Sequence, residues 1–336
     1  MIRRRWALGL IAVALVSACT APPYRALTEA APTPSEAVAH ETGRFTGEGG
    51  TQLFEQRWRP RTGDPRAVLV IHHGLKDHST RYGAFATRLV GRGFAVYAYD
   101  MRGHGHSEGR HAALDSFDAL SNDLGTFLES VRAREPGRPV FLLGHSVGGA
   151  VVTLHTLERR PNLAGLVVLA PALRINRAPI EAAATPLAAA LLPNFGAVET
   201  PNEAFSRDPA VVREMDADPL VYQPSGPART AASLVRALER IWARADTLDV
   251  PVYGLHGTID TLTDPRGTVE LVQRARNPDH TLTLYRGLRH DLIHEPEREQ
   301  VMEDLERWLV ARIAPPSADD SAPRPAPAPP PAPATP

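Results

Sequence analysis

Short apolar runs, rich in β-branched and aromatic residues, recur along the middle of the chain. They are Val68-Leu-Val-Ile71, Phe94-Ala-Val-Tyr-Ala-Tyr99, Val140-Phe-Leu-Leu143, Leu166-Val-Val-Leu169, Val252-Tyr-Gly-Leu255 and Thr281-Leu-Thr-Leu-Tyr285. Most are apolar nearly throughout rather than alternating, which predicts central strands covered on both faces. Between them, segments 81–90, 114–134, 148–158, 267–274 and 296–312 place apolar residues three or four apart and predict helices. Strand and helix in alternation predict an α/β fold: a mostly parallel central sheet with helices on both faces.

One interval breaks the alternation. Residues 173 to about 243 separate two strand signals, whereas connections in α/β units usually take about 2–6 residues. The interval is rich in Ala and Leu and broken by Pro179, Pro186, Pro193, Pro201, Pro209, Pro219 and Pro224. It predicts short helices inserted as a cap over the sheet.

The two ends differ from this body, which is expected to span 44–313. Arg3, Arg4 and Arg5 precede an apolar stretch, Trp6 to Val16, of signal-peptide length and too short to cross a bilayer. Val16-Ser-Ala-Cys19 resembles a bacterial lipobox, so residues 1–18 are expected to be a signal peptide and Cys19 to carry lipid. Cys19 is the chain's single cysteine, which excludes intrachain disulfides. Several acyl chains on one residue give stable membrane attachment. The resemblance implies a lipid-anchored protein of the bacterial cell envelope, and Thr20 after the cysteine favours the outer membrane where there are two. Residues 19–43 then form a tether, and the Ala/Pro-rich segment 314–336 a solvated tail unable to build a core.

Composition narrows the function classes. The chain has 336 residues, 43% of them hydrophobic and 22% charged, with a formal net charge of −1. No basic face or run favours nucleic acid as a partner.

Gly144-His145-Ser146-Val147-Gly148 matches the G-x-S-x-G nucleophile elbow and follows a predicted strand and opens a predicted helix, as that motif requires. A serine hydroxyl needs an adjacent base to attack at neutral pH. In this fold the chain order is Ser, acid, His. Asp260 and His290 each follow a predicted strand, at the carboxyl ends where open α/β sheets bind ligands. Asp264 and His294 lie nearby but deeper into the following elements, so Ser146, Asp260 and His290 are the predicted triad. An oxyanion hole needs two backbone amides. Val147 follows the nucleophile, and Leu75 follows the strand ending in His73-Gly74, so these two are nominated. His72, His73, His104 and His106 fall in two loops without a recognised metal-site pattern, and no metal is expected.

Together these segments resemble the α/β-hydrolase superfamily, and within it the monoacylglycerol lipase and lysophospholipase group. The matching stretches are His73-Gly-Leu-Lys-Asp-His-Ser-Thr-Arg-Tyr82, Asp100-Met-Arg-Gly-His-Gly-His-Ser-Glu-Gly109, Gly144-His-Ser-Val-Gly-Gly149, Ser206-Arg-Asp208, Asp218-Pro-Leu220, Leu255-His-Gly-Thr-Ile-Asp260 and Tyr285-Arg-Gly-Leu-Arg-His290. The resemblance implies hydrolysis of a small single-chain acyl ester, a helical cap, an apolar acyl channel and no cofactor. It implies substrate contacts from His73, Asp77, His78, Arg81, His145 and Met215. Met215 stands where monoacylglycerol lipase has a Tyr near the glycerol group. Two other outcomes remain open: a catalytically silent lipoprotein that binds a ligand or envelope partner, and an acyltransferase on the same fold.

Overall fold

The structure, a computed structural model, describes residues 37–175 and 190–313. The signal segment, residues 19–36 of the tether with Cys19, residues 176–189 of the cap and the tail from 314 lie outside the described residues.

The strands are β1 (Val38–Thr46), β2 (Gln52–Pro60), β3 (Ala67–His72), β4 (Phe94–Tyr99), β5 (Val140–His145), β6 (Gly165–Leu169), β7 (Gly196–Val198), β8 (Gly226–Pro227), β9 (Val252–Gly257) and β10 (His280–Tyr285). All but the short β7–β8 pair join one sheet in the order β1-β2-β4-β3-β5-β6-β9-β10. Pairings from β4 to β10 are parallel, and β1 and β2 join antiparallel. The helices are α1 (Gly83–Val90), α2 (Phe117–Arg134), α3 (Val147–Arg159), α4 (Pro209–Ala217), α5 (Ala228–Trp242), α6 (Pro265–Arg274) and α7 (Arg298–Val310).

Successive side chains of a strand point to opposite faces. Along β3, Val68 and Val70 enter one apolar cluster, while Ala67, Leu69 and Ile71 enter the other. The first cluster takes in α2, α3 and α5; the second takes in α1 and α7. Covering both faces explains why β3 to β6 and β9 read as continuous apolar runs.

Two boundaries differ from expectation. The first strand begins at Val38, inside the expected tether, and pairs with β2 through its whole length. Neither strand produced a continuous apolar run, because β1 lies at the sheet edge and exposes many polar positions. At the other boundary, α5 does not belong to the cap. Its Leu234, Ala237 and Ile241 sit in the cluster that α2 and α3 build beneath the sheet. The described part of the cap therefore ends near Pro227, and comprises the β7–β8 ribbon, α4 and their loops. Val211 and Met215 of α4 pack with Phe205 and Val221 in a small core of its own.

Candidate active site

The sharp turn between β5 and α3 carries Ser146, whose φ of 53° and ψ of −121° are costly for a residue with a Cβ. Close packing around the turn holds it there. A Cβ on Gly148 would lie 2.2 Å from the His73 carbonyl oxygen and 2.4 Å from that of His72, so only glycine lets α3 approach the end of β3. On the other side, a Cβ on Gly74 would lie 2.9 Å from the Ser146 Cβ. The loop carrying Leu75 thus lies against the nucleophile elbow. The Val147 amide opens α3, where the helix provides it with no acceptor.

Asp260 follows β9 and His290 follows β10. His290 Nδ1 lies 2.7 Å from Asp260 Oδ2. A carboxylate only accepts, so Nδ1 carries the proton and Nε2 keeps a free lone pair. Asp260 Oδ1 accepts from the amides of Leu262 and Thr263 at 2.8 and 3.0 Å. Burial opposes ionisation of Asp260, but the charge of His290 and hydrogen bonds from His256 and His290 outweigh it, holding the carboxyl well below the usual range. The His290 ring packs against that of His145, the residue before Ser146, with centroids 4.9 Å apart. Asp260 and His290 are thereby joined, and Ser146, Asp260 and His290 each follow the carboxyl end of a strand, β5, β9 and β10 respectively. Asp264 instead caps α6 through the Arg266 amide, and His294 bonds Asp291 and the Arg81 carbonyl, so neither competes for the triad positions.

The polar residues expected to meet substrate have other duties. His73 is buried: its Nε2 accepts from the Met101 amide at 2.8 Å, and its Nδ1 donates to the Gly74 carbonyl at 2.8 Å. Both ring nitrogens are spent on anchoring the Leu75 loop, which excludes substrate contact through them. Asp77 accepts from the His78 amide, Arg81 and Tyr82. Arg81 bridges Asp77 and Asp291 at 3.3 and 2.9 Å. His145 Nε2 donates to the His290 carbonyl at 3.3 Å, and burial together with the nearby His290 charge pushes His145 down to about 4. Asp77, Arg81 and Asp291 thus form one ion-paired group, and His145 lies against the His290 ring. Met215 is likewise buried, in the cap's own core.

His78 is a cap tie. Its Nε2 meets Asp218 Oδ2 at 2.9 Å, just after α4. Beside it, Lys76 Nζ donates to Asn202 Oδ1 at 2.7 Å and to the Thr200 carbonyl at 2.9 Å. The loop behind the nucleophile is therefore tied to the cap at two side chains. Sequence reading missed Lys76, Asn202, Phe205, His256 and Thr263. Lys76, Asn202 and Phe205 act through partners far along the chain, whereas His256 and Thr263 lie within four residues of Asp260 and gain their roles from the fold of that loop. Asp100, within the second matching stretch, buttresses the same loop by accepting from the Ser79 amide and hydroxyl and from the His106 amide.

The sheet order, the strained Ser146 elbow and the Asp260–His290 pair define an α/β-hydrolase. A family model described as serine aminopeptidase, S33, matches residues 63–297, and the chain belongs to that family. The monoacylglycerol lipase of Mycolicibacterium smegmatis is 33% identical over 271 residues, covering 80% of this chain and 96% of that protein. The monoglyceride lipase of Homo sapiens is 32% identical over 289 residues, covering 84% and 94% respectively. The crystal structure of Paleococcus ferrophilus monoacylglycerol lipase superposes with a TM-score of 0.68 at 29% identity, over 77% of this chain and 99% of that one.

Proposed function

We propose that the protein is a carboxylic ester hydrolase that cleaves monoacylglycerols through an acyl-Ser146 intermediate. The observation that carries this reading is the buried His290–Asp260 bond beside the Ser146 elbow, in a chain about one-third identical to monoacylglycerol lipases.

The steps follow from the protonation states. His290 Nε2 takes the Ser146 proton as Oγ attacks the ester carbonyl. The Leu75 and Val147 amides stabilise the oxyanion that forms. Asp260 keeps His290 in the needed tautomer and stabilises its cation. The imidazolium then protonates the departing alcohol, and a water activated by the same base releases the fatty acid.

The position of the enzyme is the second part of the proposal. The basic triplet Arg3 to Arg5, the apolar stretch and the Val16-Ser-Ala-Cys19 motif support lipidation at Cys19 and attachment to the cell envelope, with the outer membrane favoured where there are two membranes. No described helix is long and apolar enough to cross a membrane. Incorporation of a labelled fatty acid that disappears in Cys19→Ser tests the anchor.

Glycerol release from monoacylglycerols, compared with diacylglycerols, lysophospholipids and short esters, tests the substrate. Monoacylglycerol turnover that vanishes in folded Ser146→Ala is the expected result. Undiminished turnover in that variant, or turnover of lysophospholipids alone, would overturn it.

A further inference from the structure

Asp260 Oδ2 serves two histidines, not one. His290 Nδ1 lies 2.7 Å from it and His256 Nε2 3.0 Å from it, with the Thr263 hydroxyl a third donor at 2.9 Å. His256 sits at the end of β9, fully buried. We propose that His256 is a positioning residue, which holds the triad carboxylate in place and moderates its pull on His290. This inference rests on the triad reading above.

The protonation of His256 follows from its neighbours. Nε2 faces the Asp260 carboxylate at 3.0 Å and the Thr263 carbonyl at 3.3 Å, both of which only accept. The proton therefore sits on Nε2. Nδ1 lies 2.6 Å from the Thr268 hydroxyl, which donates to it from the first turns of α6. A line of donors thus runs from Thr268 through His256 to Asp260, and arrives at the oxygen that His290 uses. A donor to a carboxylate stabilises its charge and makes it a weaker partner for any other donor. Removing His256 leaves more of the Asp260 charge to act on His290, which favours the imidazolium and raises the pH at which the base becomes free.

Other groups around His290 stay in place in this comparison. They are His145 at the end of β5, the adjacent Asp291, and Arg81 and His294, which both pair with Asp291. From the cap side, the neighbouring group is the uncharged ring of Phe205.

The test is the pH profile of kcat/KM for a p-nitrophenyl ester, measured on the full chain from about pH 5 to about pH 9. His256→Leu is expected to lower kcat/KM about ten-fold and to move the acid limb upward by about half a pH unit. His256→Gln, whose amide nitrogen can donate where Nε2 did, should recover most of both. Thr268→Val, which frees the ring to reorient, should move the limb in the same direction by less. An acid limb in folded His256→Leu that coincides with the wild type overturns the proposal, as does a Gln variant displaced as far as the Leu variant. If His256→Leu does not fold, an unmoved limb in Thr268→Val overturns it. Ser146→Ala keeps the two readings apart, because turnover surviving there defeats the triad itself.

Discussion

The ring of Phe205, contributed by the cap, meets the ring of His290 edge-on, with centroids 5.3 Å apart and planes at 85°. The Phe205 carbonyl also accepts from the Asp291 amide at 2.8 Å. The cap therefore touches the base directly and does more than roof the site. An edge-to-face aromatic pair is worth about 1 kcal/mol beyond the area it buries. Phe205→Ala is expected to reduce kcat/KM about five-fold or more, while Ser146 still reacts with a fluorophosphonate probe. Wild-type kinetics in this variant would show that the contact does not hold the imidazole.

Asp260→Asn tests the tautomer argument. An Asn amide can turn its NH2 toward Nδ1 of His290, which strands the proton on Nε2 and takes away the base. The expected loss in kcat is about 10⁴-fold in protein that remains folded. A loss below about ten-fold would mean that the carboxylate does not select the tautomer.

The Arg81 bridge makes a stability prediction with a definite sign. Burial opposes ionisation of Asp77 and Asp291, yet both are held below the usual carboxylate range, Asp77 chiefly by Arg81 and Asp291 by His294 and Arg81. Groups with depressed folded values contribute stability above about pH 4 and lose it as the pH falls further. Arg81→Met strands two buried carboxylates and should cost about 3 kcal/mol at neutral pH. Urea denaturation of both proteins should show the gap narrowing as the pH falls toward about 4, where the stranded carboxyls of the variant take up protons, and further below it, where the wild type loses its own contribution.

The His78–Asp218 tie responds to pH in the opposite sense. Burial disfavours the His78 cation, but the hydrogen bond with Asp218 and the charges of Asp100 and Asp77 outweigh it and raise His78 above its ordinary value. A raised value means stability that is complete below about pH 6.5 and lost as the pH climbs through the folded value. Asp218→Asn should therefore lower the melting temperature more at about pH 6 than at about pH 9, by an interaction worth about 1 kcal/mol. Equal losses at both pH values would remove the charge from this contact.

What was legible in the sequence divides along physical lines. The covered strands announced themselves because double burial demands apolar residues at every position, and the elbow did so because a strained turn demands glycine beside it. The β1–β2 hairpin was silent, since an edge with one wet face needs only weak alternation. Helix α5 was misassigned to the cap because its Ala- and Leu-rich face fits either setting, and only its packing on α2 and α3 separates them.

The site divides in the same way. Local pattern along the chain was enough to nominate Ser146, Asp260 and His290, because each chemistry requires one residue type at the end of one strand. Which histidines are free was a tertiary matter. His73 and His145 look like ligand-binding side chains in the sequence, yet their ring nitrogens are consumed by partners inside the fold. His256 looks incidental, yet it shares the carboxylate of the base. A side chain's chemistry is set by its type, but its availability is set by its hydrogen-bond partners, and only the fold decides which groups come within reach.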